Sequence, residues 1–61
     1  PCRRCGQPRV TQWNICADGN VYRGLCLPCD VALNDAVLTF LGDPDRVAKI
    51  AAYARRKGVQ L

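Results

Sequence analysis

Cys2-Arg3-Arg4-Cys5 and Cys26-Leu27-Pro28-Cys29 are the two stretches whose reading decides the fold of this chain. Each is a cysteine pair with two residues between, and 20 residues separate Cys5 from Cys26. The resulting C-x2-C-x20-C-x2-C pattern lies at the upper end of the spacing read as a zinc site. Two thiolates three residues apart can face one tetrahedral ion, and two such pairs complete its shell. The candidate ligands are therefore Cys2, Cys5, Cys26 and Cys29, and the candidate cofactor is one structural Zn2+. Four protein ligands leave no position for a catalytic water at that ion. A disulfide framework and redox chemistry are the competing readings, and the odd total of five cysteines speaks against the former.

The remaining cysteine, Cys16, is an extra ligand, a reactive thiol or, in the plainest reading, a small buried apolar residue. The chain has 61 residues, enough for one domain, 1–61. A chain this short buries only about 60% of its unfolded surface and usually requires a staple. Zinc binding adds folding free energy on the order of 10 kcal/mol in small fingers.

Composition is that of a globular chain, with 49% hydrophobic and 23% charged residues, which argues against a disordered tail. No apolar run approaches the length of a membrane span, and no signal-peptide pattern is present. The chain begins with Pro1 rather than Met, so residues upstream are left open. The formal net charge is +4 with neutral thiols. A divalent ion on four thiolates lowers that by roughly two charges, so the distribution of arginines counts for more than the total.

Pro1 to Arg9 reads as a zinc knuckle, with Gly6 where a tight turn needs positive φ. Residues 10–26 read as a β-hairpin turning at Asp18-Gly19, a dipeptide suited to a two-residue type I′ turn. That register pairs Cys16 with Val21, Ile15 with Tyr22 and Asn14 with Arg23. It places Trp13, Ile15 and Tyr22 in the core, with Gly24 leaving room for the indole of Trp13. Residues 27–41 read as a helix with an apolar stripe of Leu33, Ala36, Val37, Phe40 and Leu41, closed by Gly42. A second helix over 43–57 has Asp43 as N-cap, Pro44 at the first helical position, and Val47, Ile50, Ala51 and Ala54 as its stripe. Arg55, Arg56 and Lys57 suit its C-terminal end, Gly58 stops it, and the tail 59–61 reads as loose. Knuckle, hairpin and a cysteine pair at a helix N-terminus are the parts of a treble-clef finger. The predicted fold is a small α+β zinc-bound domain of that type with a second, C-terminal helix.

The stretch from Cys2 to Tyr53 resembles the zinc-binding HNH endonucleases of the phage recombination endonuclease VII family. The likeness rests on Asp18-Gly19, on Val21-Tyr22-Arg23-Gly24-Leu25-Cys26-Leu27-Pro28-Cys29-Asp30 with Leu33, and on the trailing helix with Ala52-Tyr53. It implies a treble-clef fold, DNA as partner, a phage or prophage origin and a cytoplasmic, reducing location. The resemblance does not extend to the catalytic residues. Trp13 and Asn14 stand where the family has an Asp-His pair, and Cys16 stands in place of a second His. Asp30 alone matches a metal-ligand position, where the family usually has Asn. The chain contains no histidine, the side chain that supplies a base near neutral pH.

Three functions follow. The first is a non-catalytic zinc finger that binds nucleic acid, with Arg3, Arg4, Arg9 and Arg23 as candidate phosphate contacts. The second is a protein-interaction or assembly module, including a homodimer through Val47, Ile50, Tyr53 and Ala54 of the last helix. The third is an endonuclease with a rearranged divalent-metal site built on Asp18 and Asp30. The plain roles of those two are a turn residue and an acidic residue in a first helical turn. No feature of the sequence points to a small-molecule substrate.

Overall fold

The computed structural model describes residues 1–61, and its organisation starts from the N-terminal knuckle. Gly6 N–H closes on Cys2 C=O at 2.9 Å, with Gly6 at φ +83°, a conformation that only glycine adopts without strain. The knuckle is sewn to the second strand by Arg3 N–H to Gly24 C=O at 2.8 Å and Val10 N–H to Leu25 C=O at 2.9 Å. Strands β1 (Thr11–Trp13) and β2 (Arg23–Leu25) pair antiparallel as Thr11 with Leu25, Gln12 with Gly24 and Trp13 with Arg23.

This register is one residue away from the one expected for an Asp18-Gly19 type I′ turn. Residues 14–22 form a longer connection containing a 3-10 turn at Cys16–Asp18. Asp18 and Asn20 N–H both donate to Ile15 C=O, and Gly19 N–H donates to Cys16 C=O. Gly19 and Asn20 both take positive φ, so two residues reverse the chain after the 3-10 turn rather than within a two-residue turn. The carboxylate of Asp18 grips Arg23 with bonds of 2.7 and 3.2 Å. Ile15 and Tyr22, expected in the core, are exposed, and so is Cys16. Gly24 faces Arg9 rather than Trp13: a Cβ there would lie 2.6 Å from Arg9 Cδ and 3.2 Å from the Pro1 carbonyl.

Helix α1 spans Leu27–Leu41, as its pattern predicts. Cys26 is its N-cap, Pro28 lies in its first turn, and Gly42 ends it in the left-handed conformation. Asp43 N–H reaches back to Leu38 C=O at 3.1 Å and Gly42 N–H to Thr39 C=O at 3.1 Å, a Schellman closure. Because Asp43 belongs to that closure, α2 begins later than expected, at Arg46, and runs to Lys57 with Asp45 as N-cap. Asp43 organises the entry instead, accepting Asp45 N–H at 2.8 Å and Lys49 Nζ at 2.5 Å. Val59, the first residue of the tail, is tied down as well, whereas Gln60 and Leu61 are exposed. Val59 N–H donates to Ala54 C=O at 2.8 Å, and its side chain packs on the helix pair.

Two small apolar clusters result. One gathers Cys2, Leu25, Cys26 and Cys29, with Trp13 and Leu33 against them. The other gathers Val31, Ile50 and Ala54, with Leu38, Tyr53 and Val59. The face of α1 that meets α2 is thus the Val31–Leu38 line, not the predicted Leu33–Ala36–Val37–Phe40–Leu41 stripe. Phe40 is 87% exposed and Leu41 67%. Ile50 and Ala54, candidates for pairing with another subunit, are spent inside the chain's own core.

Asp30 joins the two clusters. It is 2% exposed, and its carboxylate accepts Trp13 Nε1–H at 2.8 Å from the hairpin side and Tyr53 O–H from α2. That hydrogen bond, with burial and the nearby negative charge, pushes the Tyr53 phenol above its ordinary range. No buried side-chain polar atom is left without a partner. Asp30→Asn keeps one acceptor oxygen and turns an amide donor toward a donor, so it should cost about 2 kcal/mol. Denaturant unfolding of the metal-loaded chain checks this. An unchanged midpoint would mean that Asp30 does not tie hairpin to helices.

Candidate metal centre

The four cysteines of the two pairs meet at one point, their Sγ atoms all within 4.8 Å of one another. Two local structures deliver them. The knuckle turn puts Cys2 and Cys5 on one side, and the first turn of α1 supplies Cys26 and Cys29 on the other. The pairing of the knuckle with β2 brings the two together. Cys5 and Cys26 Sγ lie 3.5 Å apart, and Cys2, Cys26 and Cys29 are buried. Four sulfurs around one tetrahedral ion at about 2.3 Å stand about 3.8 Å from each other, which matches this cluster. All five cysteines are free thiols. Cys16, exposed in its 3-10 turn, is not one of the cluster.

The electrostatics of the cluster favour a cation at its centre. Burial opposes the Cys2 thiolate, but the backbone N–H groups of Cys26, Cys5 and Arg4 outweigh it and bring the thiol down to about 6. Cys29 moves the other way, pushed up to about 12 by its hydrogen bond to Cys26, by burial and by the neighbouring sulfurs. Gln7 N–H favours the Cys5 thiolate, yet Cys26, burial and Cys2 together raise that thiol. The cluster thus holds one negative charge readily and resists the next. Full deprotonation of four crowded sulfurs requires a bound cation to absorb the charge.

Beside the cluster, knuckle, hairpin and α1 enclose a groove of about 460 Å³. Its floor is apolar, with Trp13, Ile15 and Leu25 from the hairpin and Leu33 and Ala36 from α1. Arg3, Arg4 and Arg23 also line it, together with Asp18. Three of the four arginines singled out in the sequence therefore share one site. Arg9 does not line it, because its stem packs over Gly24. Arg23 is held by Asp18, whereas Arg3 and Arg4 make no ion pair. The cations at the end of α2 have a local explanation: Arg56 and Lys57 each lie 5.6 Å from the Tyr53 ring centroid.

The two acidic side chains nearest the site are engaged. Asp18 is bound bidentately by Arg23, and both Asp30 oxygens are taken by Trp13 and Tyr53. The role of Asp30 as a link between hairpin and α2 is not visible in the sequence. Tyr53, three residues after Ile50 and so on the same side of the helix, was the only hint that a polar group would meet that core.

Comparison with family models, with curated proteins and with solved structures returns no match. What fold and site define is a small α+β chain with a two-stranded hairpin, two helices and four thiols placed to hold one metal ion. No helix is long and apolar enough to cross a membrane.

Metal binding should release protons, since Cys29 is a thiol at neutral pH and a thiolate when bound. Affinity should therefore fall as pH falls. Calorimetric titration of the apo chain with a divalent ion in buffers of different ionisation enthalpy counts the protons. Binding without proton release would overturn this account of the site.

Proposed function

We propose that the chain is a non-catalytic treble-clef zinc finger of endonuclease VII-like type, and that its arginine-lined groove binds nucleic acid. Zinc is the ion that suits four cysteines in a closed tetrahedral shell. Such a shell offers no open coordination position, so the metal serves the fold. The observation that carries the binding reading is the convergence of Arg3, Arg4 and Arg23 on one groove, although the first two are about twenty positions from the third. Two of these guanidinium groups are unpaired. The third sits in an exposed ion pair, which solvent screens and which exchanges readily for phosphate. Trp13 on the groove floor adds a flat apolar surface beside the cations, the combination that stacks bases while arginines track the backbone.

The catalytic alternative lacks its parts. No histidine is available as base, and the carboxylates of Asp18 and Asp30 are committed to Arg23 and to Trp13 and Tyr53. The chain most consistent with these facts keeps the shape of a nuclease finger and uses it for binding, inside a cell where thiols stay reduced.

The test is binding of duplex, single-stranded and branched DNA by the zinc-loaded chain across a salt series. Affinity should fall steeply with salt. The double variant Arg3→Ala, Arg4→Ala should weaken binding and flatten the logarithmic slope by about 2. A slope unchanged by the double variant, or no binding at low salt, would overturn the reading.

A further inference from the structure

The groove between knuckle, hairpin and α1 joins two kinds of surface that a double helix does not satisfy together. Its apolar part is made by Trp13, Ile15, Leu25, Leu33 and Ala36. Its charged part is Arg3, Arg4, Arg23 and Asp18. Asp18 is neutralised by Arg23, which leaves Arg3 and Arg4 with no carboxylate partner. A zinc ion on four thiolates places about two negative charges nearby. That damps attraction at a distance. These arginines therefore act by contact, where a guanidinium grips phosphate through two hydrogen bonds.

A duplex offers phosphates and the edges of its bases, while the flat faces of the bases are covered by stacking inside the helix. Against a duplex, the apolar side chains of the groove would stay uncovered. An unpaired base offers a free flat face together with its phosphate. At about 460 Å³ the groove falls within the roughly 300–1,000 Å³ of sites that enclose a small ligand, room for a flat ring system but not for a double helix.

Trp13 is fixed for this role from behind. Its indole N–H donates to Asp30 at 2.8 Å, and Asp30 in turn accepts Tyr53 O–H from α2. The half-buried ring has no hydrogen bond left to demand of a ligand, and it loses little freedom when a base meets it. No amide or hydroxyl side chain lines the groove to read a base edge, so the contact is chiefly one of stacking.

We infer that the groove takes unpaired bases of a nucleic-acid strand and prefers a single strand to a duplex. This rests on the nucleic-acid reading above and narrows it: the arginines hold the backbone, and Trp13 meets the face of a base.

Trp13 is the chain's one tryptophan, so its emission reports on the groove. The zinc-loaded chain is titrated at one low salt concentration with three probes counted in phosphate. These are oligothymidine, an abasic strand of the same length, and a relaxed circular duplex. Oligothymidine should bind about fivefold or more tighter than the other two, the scale of one stacked base, and it alone should quench Trp13. Ala36→Leu narrows the groove from an exposed position on α1, and it should remove this preference while bound zinc and circular dichroism stay unchanged. Equal affinity for oligothymidine and the abasic strand would overturn the inference and leave phosphate binding by the arginines in place. So would an emission that saturating oligothymidine leaves unchanged. No binding of any probe would overturn both readings.

Discussion

Four sulfurs meeting at one point are the constraint on which the rest of this molecule depends. The first apolar cluster is largely made of the ligands themselves, with Leu25 as its one other buried member. With no metal bound, that cluster holds mutually repelling thiolates or protonated thiols instead of a closed shell. The knuckle has no core of its own. Its position relies on two backbone bonds to the β2 carbonyls of Gly24 and Leu25 and on the thiols it shares with α1. With eight buried residues in 61, the polypeptide alone has little with which to offset its chain entropy.

Asp30 extends that constraint to the second half. It follows Cys29 directly, so the cysteine-bearing first turn of α1 fixes where its carboxylate stands. From there it takes one donor from the hairpin and one from α2. A buried carboxylate between two apolar clusters is costly unless fully hydrogen-bonded, and this one is. The same bonds that stabilise it remove it from metal chemistry. The carboxylate is used to hold two helices and a hairpin in one arrangement.

The two surfaces left over differ in kind. In the groove, cations stand beside an apolar floor. At the far end of α1, Phe40 and Leu41 stand exposed. A chain with one small core on each side of α1 cannot cover that helix completely, and both surfaces follow from that shortage.

The sequence by itself determined which four cysteines meet, the order of elements and the bounds of α1. Cysteine spacing reports directly on tetrahedral coordination, and the N-terminal Pro28 and closing Gly42 mark a helix whatever surrounds it. Gly6, Gly42 and Gly58 were legible for the same local reason. Only the tertiary structure decided the rest. The hairpin register turned on the 3-10 turn and the Asp18–Arg23 pair, which an Asp-Gly signal does not reveal. The buried face of α1 could not be read, because apolar residues all round a helix leave periodicity nothing to choose between. Asp43 looked like a cap for α2 but was claimed by the closure of α1. That Arg3, Arg4 and Arg23 would share one groove while Arg9 would not depends on contacts distant in sequence, which no local pattern encodes.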